Sequence, residues 1–173
     1  YDTAPVLAQL IDHKPDILPS LLQKLKGGNL AADFAGEMVS VYNKKFPEDI
    51  SKIADLIPLL NHSDTWARIE LARYFNEICR KKKIQNYDNE IREKILESLI
   101  ILTKDKNPES DGTITSNNPK PDDAITRGIN SVRGIATEAL VAYLHYFPED
   151  QTASSRLKEL ADDHTKAVKA TLI

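Results

Sequence analysis

The sequence is poor in cysteine and in long apolar runs, and these absences narrow the kinds of protein it encodes. Its 173 residues contain one cysteine, Cys79, which has no partner for a disulfide within the chain. A lone cysteine favours a reducing compartment, so we expect a cytoplasmic location. No apolar run approaches the roughly 18 residues of a membrane-spanning helix, and no signal-peptide pattern is present. We therefore expect no membrane as a partner.

Motifs for catalysis and for metal binding are also missing. The four histidines stand apart from one another and from Cys79, and there is no C-x-x-C pair, so the usual spacings of zinc ligands do not occur. The sequence has no G-x-x-x-x-G-K phosphate-binding loop, and no serine or cysteine lies within a nucleophile motif. We predict that this chain is not an enzyme and that it carries no cofactor and no metal ion.

The apolar residues that are present recur at the spacing of amphipathic helices. No strand-like alternation competes with this pattern, which predicts an all-α fold. Asp88 is predicted to cap one helix, and Glu149-Asp150 to begin another over 151–162. In residues 130–150 the apolar stripe is broad, and its alanines allow a neighbouring helix to approach closely. That stripe consists of Val132, Ala136, Ala139, Leu140, Tyr143, Leu144 and Phe147.

Residues 105–121 form the one low-complexity stretch. They hold three prolines, one glycine and many small polar residues, a composition that predicts a long exposed loop. Long loops in compact repeat proteins are often functional, so this loop is a candidate contact region. A disordered insertion is the alternative interpretation.

One stretch of the chain repeats another about 101 positions away. Residues 29–71 align with residues 130–172 without gaps, and the tetrapeptide Phe-Pro-Glu-Asp occurs at 46–49 and again at 147–150. The identities fall mainly on the apolar stripe, the proline that ends a helix and the acidic start of the next. Such repetition is typical of stacked helical hairpins, each too small to bury its own apolar stripe alone.

The motifs within the repeated stretch resemble those of HEAT-type repeats. The pattern Val-Arg-x-x-Ala-x-x-Ala-Leu that begins at Val132 resembles the first helix of such a repeat. Asp163 followed by Val168-Lys169 resembles the Asp…Val-Arg junction of HEAT repeats, with lysine in place of arginine, and a looser version ends at Arg68. The resemblance implies an α-solenoid of antiparallel helical hairpins, a HEAT-like superhelix. We expect residues 1–173 to form a single segment of this kind, cut from a longer chain.

A second resemblance is shorter. Residues 129–134, Ile-Asn-Ser-Val-Arg-Gly, resemble part of the helical-repeat regions of large bacterial ATP-binding proteins of the STAND class, some of which are anti-phage sensors. This resemblance implies a bacterial protein whose nucleotide-binding domain lies outside this sequence.

In HEAT-type repeats the aspartates and arginines of these motifs bond to one another and to neighbouring loops, forming a ladder along the stack. The resemblance therefore implies structural roles for Arg68, Arg133 and Asp163. A buried arginine needs such a partner, because an unpaired buried charge is costly. Glu138 and the pair Asp122-Asp123 are the candidate acceptors for Arg133.

The expected function is recognition: a scaffold or sensor segment that binds another protein, or another domain of its own chain. In stacks of helical hairpins, the second helix of each hairpin often lines the concave side. Exposed positions on those helices are therefore the predicted interface residues, namely Lys52, Asp55, Glu93, Glu97, Arg156 and Lys158.

Two alternatives stay open. A nucleic-acid-binding HEAT-like module of the DNA-repair type predicts a basic, aromatic-lined groove, and the basic run 80–83 is the only sequence hint of one. The net charge of −3 argues against a surface that follows phosphates. A structural spacer beside an ATPase domain predicts instead that no exposed binding patch exists.

Overall fold

The structure of the protein is a computed structural model. Among the residues that it describes, all regular secondary structure is helical. This confirms the all-α fold class. None of the described helices is long and apolar enough to cross a membrane. The chain divides into two compact units, residues 1–74 and 75–173. The described residues are 9–10, 13–14, 17, 56–61, 65–81, 83–109 and 121–172.

Six α-helices account for most of the described residues. In chain order they are α1 (Thr65–Arg80), α2 (Asn89–Leu102), α3 (Pro121–Gly128), α4 (Val132–Tyr146), α5 (Gln151–Ala161) and α6 (Lys166–Lys169). Short 3-10 helices occupy Ile57–Asn61, Lys83–Asn86 and Ala170–Leu172.

In the first unit the structure describes five residues between 9 and 17, residues 56–61 with their 3-10 helix, and the first part of α1. Leu56 and Leu71 are fully buried there. Arg73 pairs with the buried Glu70 at 2.5 Å and lies over the ring of the exposed Trp66, with 5.4 Å between the guanidinium carbon and the ring centroid. The earlier copy of the repeated stretch, residues 29–49, lies outside the described residues.

Side-chain caps set the beginnings of α2, α4 and α5. Asp88 Oδ1 accepts a hydrogen bond from the amide of Ile91 at 2.9 Å, and Asp150 Oδ1 accepts one from the amide of Ala153 at 2.9 Å. Both predicted helix starts are therefore confirmed. Ser131 caps α4, so the helical stretch that begins near residue 121 breaks before this residue.

Helix α4 is the centre of the second unit. It packs against α2, α3, α5 and α6, and its first half is buried on every side because neighbours surround it. Leu144 and Phe147, two members of the predicted stripe, lie at its far end and are only half-buried. The buried residues of α4 are Val132, Arg133, Gly134, Ile135, Ala136, Thr137, Ala139, Leu140 and Tyr143.

Two glycines allow the backbone to pass closely at the start of α4. A Cβ atom placed on Gly134 would lie 2.2 Å from the carbonyl oxygen of Gly128, and one placed on Gly128 would lie 2.4 Å from the carbonyl oxygen of Ala167. Both obstacles are backbone atoms, which cannot rotate away as a side chain does. The absence of side chains at 128 and 134 therefore brings α3, α4 and α6 together.

We expect Gly134→Ala to lower the free energy of unfolding by about 1–3 kcal/mol, the usual cost of overpacking. Helix propensity alone predicts the opposite sign, because alanine favours a helix over glycine by about 1 kcal/mol. Urea unfolding followed by circular dichroism distinguishes the two. Ser155→Ala, at an exposed position of α5, is the control and should be near neutral. A more stable Gly134→Ala protein would contradict the close approach.

Candidate functional site

Arg133, in the first turn of α4, is 6% exposed and joins three segments of the chain. Its Nη1 donates to the carbonyl oxygen of Asp105 at 2.8 Å, and its Nη2 donates to the carbonyl oxygen of Pro108 at 3.1 Å. The same Nη2 lies 3.1 Å from Thr165 Oγ1 and 3.3 Å from Asp163 Oδ1. Arg133 Nε is 3.2 Å from Asp163 Oδ2, an ion-pair contact without the alignment of a hydrogen bond.

The Asp163 carboxylate is held by more than this arginine. Its Oδ1 accepts hydrogen bonds from the Thr165 amide at 2.8 Å and the Thr165 hydroxyl at 2.6 Å. Burial alone would raise the pKa of Asp163, but these two hydrogen bonds and the charge of Arg133 outweigh it and hold the pKa below its ordinary value. Asp163 is therefore an ionised partner for a buried guanidinium.

The residues predicted to form a ladder thus lie in different places. Arg133 and Asp163 pair with each other. Glu138 does not accept a hydrogen bond from Arg133, because it lies five positions later on α4 and therefore points roughly 140° away around the helix. Glu138 instead accepts hydrogen bonds from Asn76 Nδ2 at 3.0 Å and from Arg80 Nη1 at 2.9 Å. In the first unit Arg68 is 5% exposed.

Two further points complete the ladder set. Arg68 Nη2 lies 3.4 Å from Thr65 Oγ1. The side chains of Asp122 and Asp123, the other predicted acceptors, lie outside those that the structure describes.

The exposed loop predicted over residues 105–121 needs correction at its beginning. Pro108 is buried, and the side chains of Asp105 and Asn107 are half-buried. Asn107 Oδ1 accepts from the Val132 amide at 3.0 Å, and the Asn107 carbonyl accepts from the Arg133 amide at 3.0 Å. Asn107 thus accepts from two amides at the N-terminus of α4 that have no acceptor within the helix, and this fixes the start of the segment to α4. Residues 110–120 lie outside the described residues.

The predicted interface residues also separate into groups. Lys52 and Asp55 lie outside the described residues, whereas Glu93, Glu97 and Lys158 are exposed.

Arg156 corrects the prediction, because its side chain is only 16% exposed. Its Nε donates to Thr103 Oγ1 at 2.9 Å and its Nη2 to the Thr103 carbonyl at 2.7 Å. Carbonyls at a helix end need donors, so Arg156 ties α5 to the end of α2 and is not the exposed residue that was predicted.

A solvent-open cleft of about 480 Å³ lies between α2 and the end of α4. One face of α2 provides one wall through residues at the i, i+3, i+4, i+7 spacing of a single helix face. The turn that joins α4 to α5, which is the second Phe-Pro-Glu-Asp copy, provides much of the other wall. The lining residues are Asn89, Arg92, Glu93, Leu96, Tyr143, Tyr146, Phe147, Pro148, Glu149 and Asp150.

Two interactions hold the wall formed by this turn. The Tyr143 hydroxyl donates to Asp150 Oδ2 at 3.0 Å, which leaves the other carboxylate oxygen to cap α5. Burial raises the pKa of Tyr143, and the hydrogen bond to Asp150 and its charge raise it further. Phe147 lies between Tyr143, with ring centroids 5.0 Å apart, and the guanidinium of Arg92, whose carbon is 4.8 Å from the Phe147 centroid.

Comparisons with known proteins add nothing to this geometry. No protein-family model, no curated protein and no solved structure matches the chain. Within the part of the chain that the structure describes, no group of three or more His, Cys, Asp or Glu side chains is placed to hold a metal ion. The cleft is therefore the candidate site on its own chemistry.

Sequence reasoning identified one cleft residue, Glu93, and missed the rest. Arg92 and Glu93 stand among alternating charges, which are usual on a solvated helix face. The sequence pattern placed Phe147 on the apolar stripe and Pro148 at a helix end, and neither was predicted to line a binding site. The available signal was a combination: a helix face with three polar residues at 89, 92 and 93 beside Leu96, and a turn containing phenylalanine that occurs twice in the sequence.

We expect Asp163→Asn to lower the free energy of unfolding by about 3 kcal/mol at pH 7, because it leaves the buried Arg133 charge unpaired. The pKa of Asp163 is lower in the folded than in the unfolded state, where it is near 4. The contribution of its charge is therefore complete above about pH 4 and is lost as the pH falls through the folded-state pKa.

Urea unfolding of the original protein and of Asp163→Asn between neutral pH and pH 3 tests this pH dependence. The difference between them should be constant near neutrality and shrink in acid. Asp162→Asn, at the exposed neighbour, is the matched control. A difference that does not change with pH would show that the charge of Asp163 has no role.

We expect Tyr143→Phe to destabilise the fold by about 1–2 kcal/mol, because it removes a hydrogen bond to a charged acceptor. Since the pKa of Tyr143 is raised in the folded state, this stabilisation is present below about pH 10 and is lost as the pH rises through the folded-state pKa. Thermal unfolding measures the stability, and ultraviolet titration should lose one late tyrosine phase. Tyr146→Phe is the control, because the Tyr146 hydroxyl forms no hydrogen bond with any described residue; equal effects of the two changes would refute the assignment.

Proposed function

We propose that this chain is a non-catalytic, HEAT-like helical module that binds a protein partner, and that the cleft between α2 and the α4–α5 turn is part of the binding surface. The partner is another protein or another domain of the same chain. One observation carries the proposal: a concave surface on packed helices presents aromatic side chains together with two carboxylates, Glu93 and Glu149, that form no ion pair with any described residue. Concave surfaces with a few placed polar groups are the usual form of binding sites.

The frame of the cleft supports a binding role. The Arg92 guanidinium packs on Phe147 at the N-terminal end of α2, and Arg156 bonds to Thr103 at its C-terminal end. Helix α2 is thus fastened to the α4–α5 hairpin at both ends. A preformed surface of this kind loses little conformational entropy when a partner binds.

The helical-repeat part of the proposal has support from the α4–α5 region. The two helices pack together and are joined by only four residues, 147–150, and short connections are typical of antiparallel helix pairs. The Arg133–Asp163 pair joins the start of α4 to the turn after α5. This is the kind of tie that the HEAT resemblance implies.

The basic run 80–83, on which the nucleic-acid alternative depends, gives that alternative little support. Arg80 pairs with Glu138 at 2.9 Å, and Lys81 pairs with Glu77 at 2.6 Å. Cations that already have carboxylate partners contribute less to phosphate binding. The spacer alternative predicts no exposed patch, and the cleft argues against it.

Site-specific photo-crosslinking tests the proposal. Benzoylphenylalanine placed at Tyr146, in the cleft, is expected to crosslink a defined protein in native-host cells, or a second domain of the full-length chain. The same reagent at Ala161, an exposed position at the end of α5, is the control and should not capture that protein. Mass spectrometry of the product identifies the partner and the crosslinked residue. No adduct at 146, or equal adducts at both positions, would refute the proposed surface.

A further inference from the structure

We propose that the cleft receives a basic, extended segment of the partner, with the head group of a lysine or arginine side chain between Glu93 and Glu149. This inference rests on the proposed function and names the chemistry of the partner. It follows from which charges in the cleft are already engaged and which are available.

The positive charge of the cleft is engaged within the protein. Among the described residues that line the cleft, Arg92 is the only cation. Its guanidinium lies over the Phe147 ring and donates to the side-chain oxygen of Asn89. Three carboxylates, Glu93, Glu149 and Asp150, line the same cleft as this one guanidinium, so an anion would meet net repulsion and the cleft is poorly suited to a phosphate or an acidic peptide.

Most of the negative charge is available. Of the three lining carboxylates, Asp150 accepts from the Tyr143 hydroxyl and from the Ala153 amide. Glu93 and Glu149 are exposed and form no hydrogen bond or ion pair with any residue that the structure describes. Two carboxylates that line one cleft create a negative potential, which attracts a cation.

The other cleft surfaces match the stem of a long cationic side chain. Leu96 and Pro148 are apolar, and Tyr146 and Phe147 provide aromatic carbon. Lysine and arginine pack their methylene stems on apolar surface while the charge stays near water. Aromatic faces also attract cations. A carboxylate cluster without these walls would favour no particular length of side chain.

The dimensions of the cleft favour a segment of chain over a folded surface. A volume of about 480 Å³ lies in the lower half of the roughly 300–1,000 Å³ range of small-molecule pockets. This space accommodates a few side chains but not a helix. Because the cleft is open, the chain on either side of the bound residue can continue into solvent.

Fluorescence anisotropy with labelled peptides tests the inference on the whole chain. The probes are extended peptides of equal length that alternate proline or leucine with lysine, with glutamine or with glutamate. We expect the lysine peptide to bind, the glutamine peptide to bind at least about tenfold more weakly, and the glutamate peptide not to bind. Binding of the lysine peptide should weaken as salt is added.

A charge-matched pair of variants places the site. Glu93→Gln with Glu149→Gln should weaken the lysine peptide about tenfold. Glu97→Gln with Glu109→Gln removes two exposed carboxylates that do not line the cleft and should change binding by less than about twofold. Circular dichroism checks that all four substitutions leave the helices intact.

The reversed variant keeps the test decisive. Glu93→Lys with Glu149→Lys should abolish binding of the lysine peptide and permit binding of the glutamate peptide. Equal effects of the cleft pair and the control pair would overturn the inference, because binding would then reflect net charge alone. Preference of the original protein for the glutamate peptide would overturn it too.

The two proposals fail separately. A partner that crosslinks at position 146 but is not displaced by the lysine peptide would retain the protein-binding function and refute its basic chemistry. Self-association that the Glu93→Gln, Glu149→Gln protein loses, seen by sedimentation, would assign the cleft to a second copy of the chain and overturn the inference as well.

Discussion

The ion pair of Arg133 and Asp163 is the constraint on which the described part of the second unit depends. A buried guanidinium is tolerated only when its donors and its charge are both matched. Here the match comes from a carboxylate thirty residues later and from the carbonyl oxygens of Asp105 and Pro108. Each of these groups has a fixed place in the chain, so Arg133 determines where the segment before α3 and the turn after α5 lie relative to α4.

The Arg133–Asp163 pair also affects the position of the cleft, because both lie at ends of the same helix, α4. The N-terminal end of this helix is fixed by the arginine and by the close approach of Gly134 to Gly128. The position of its C-terminal end is therefore also defined, and there the Tyr143–Asp150 hydrogen bond stabilises the turn that leads to α5. The buried ion pair and the cleft thus lie at opposite ends of one helix: the pair positions the aromatic turn, and the turn presents its exposed groups to solvent.

How much of this was predictable depends on the sequence distance of each interaction. The caps at Asp88 and Asp150 were predicted because a cap involves residues three positions apart. The acceptor of Arg133 was not, since Glu138 and Asp163 are chemically equivalent and only the tertiary fold distinguishes them. Arg156 was placed on an interface for the same reason: its helix position leaves it free, and only the distant Thr103 carbonyl shows that it is bonded. The cleft needs two helices that lie far apart in sequence, and no local pattern joins them.

The repeated tetrapeptide gains a physical meaning from this geometry. In its second copy, phenylalanine packs on Arg92, proline ends the helix, glutamate faces the cleft and aspartate caps the next helix. Two of these roles, those of proline and aspartate, are local to the turn and follow the motif wherever it begins a helix. The place of glutamate in the cleft requires the opposing helix as well. The phenylalanine–arginine contact instead depends on the opposing helix, α2, which has no counterpart in the motif. A repeat can therefore conserve its turn while the opposing helix varies the charge and shape of the cleft. In this chain α2 contributes Arg92, which lies over the Phe147 ring, and Glu93, which is exposed, so the charges on that wall of the cleft come from the helix and not from the repeated motif.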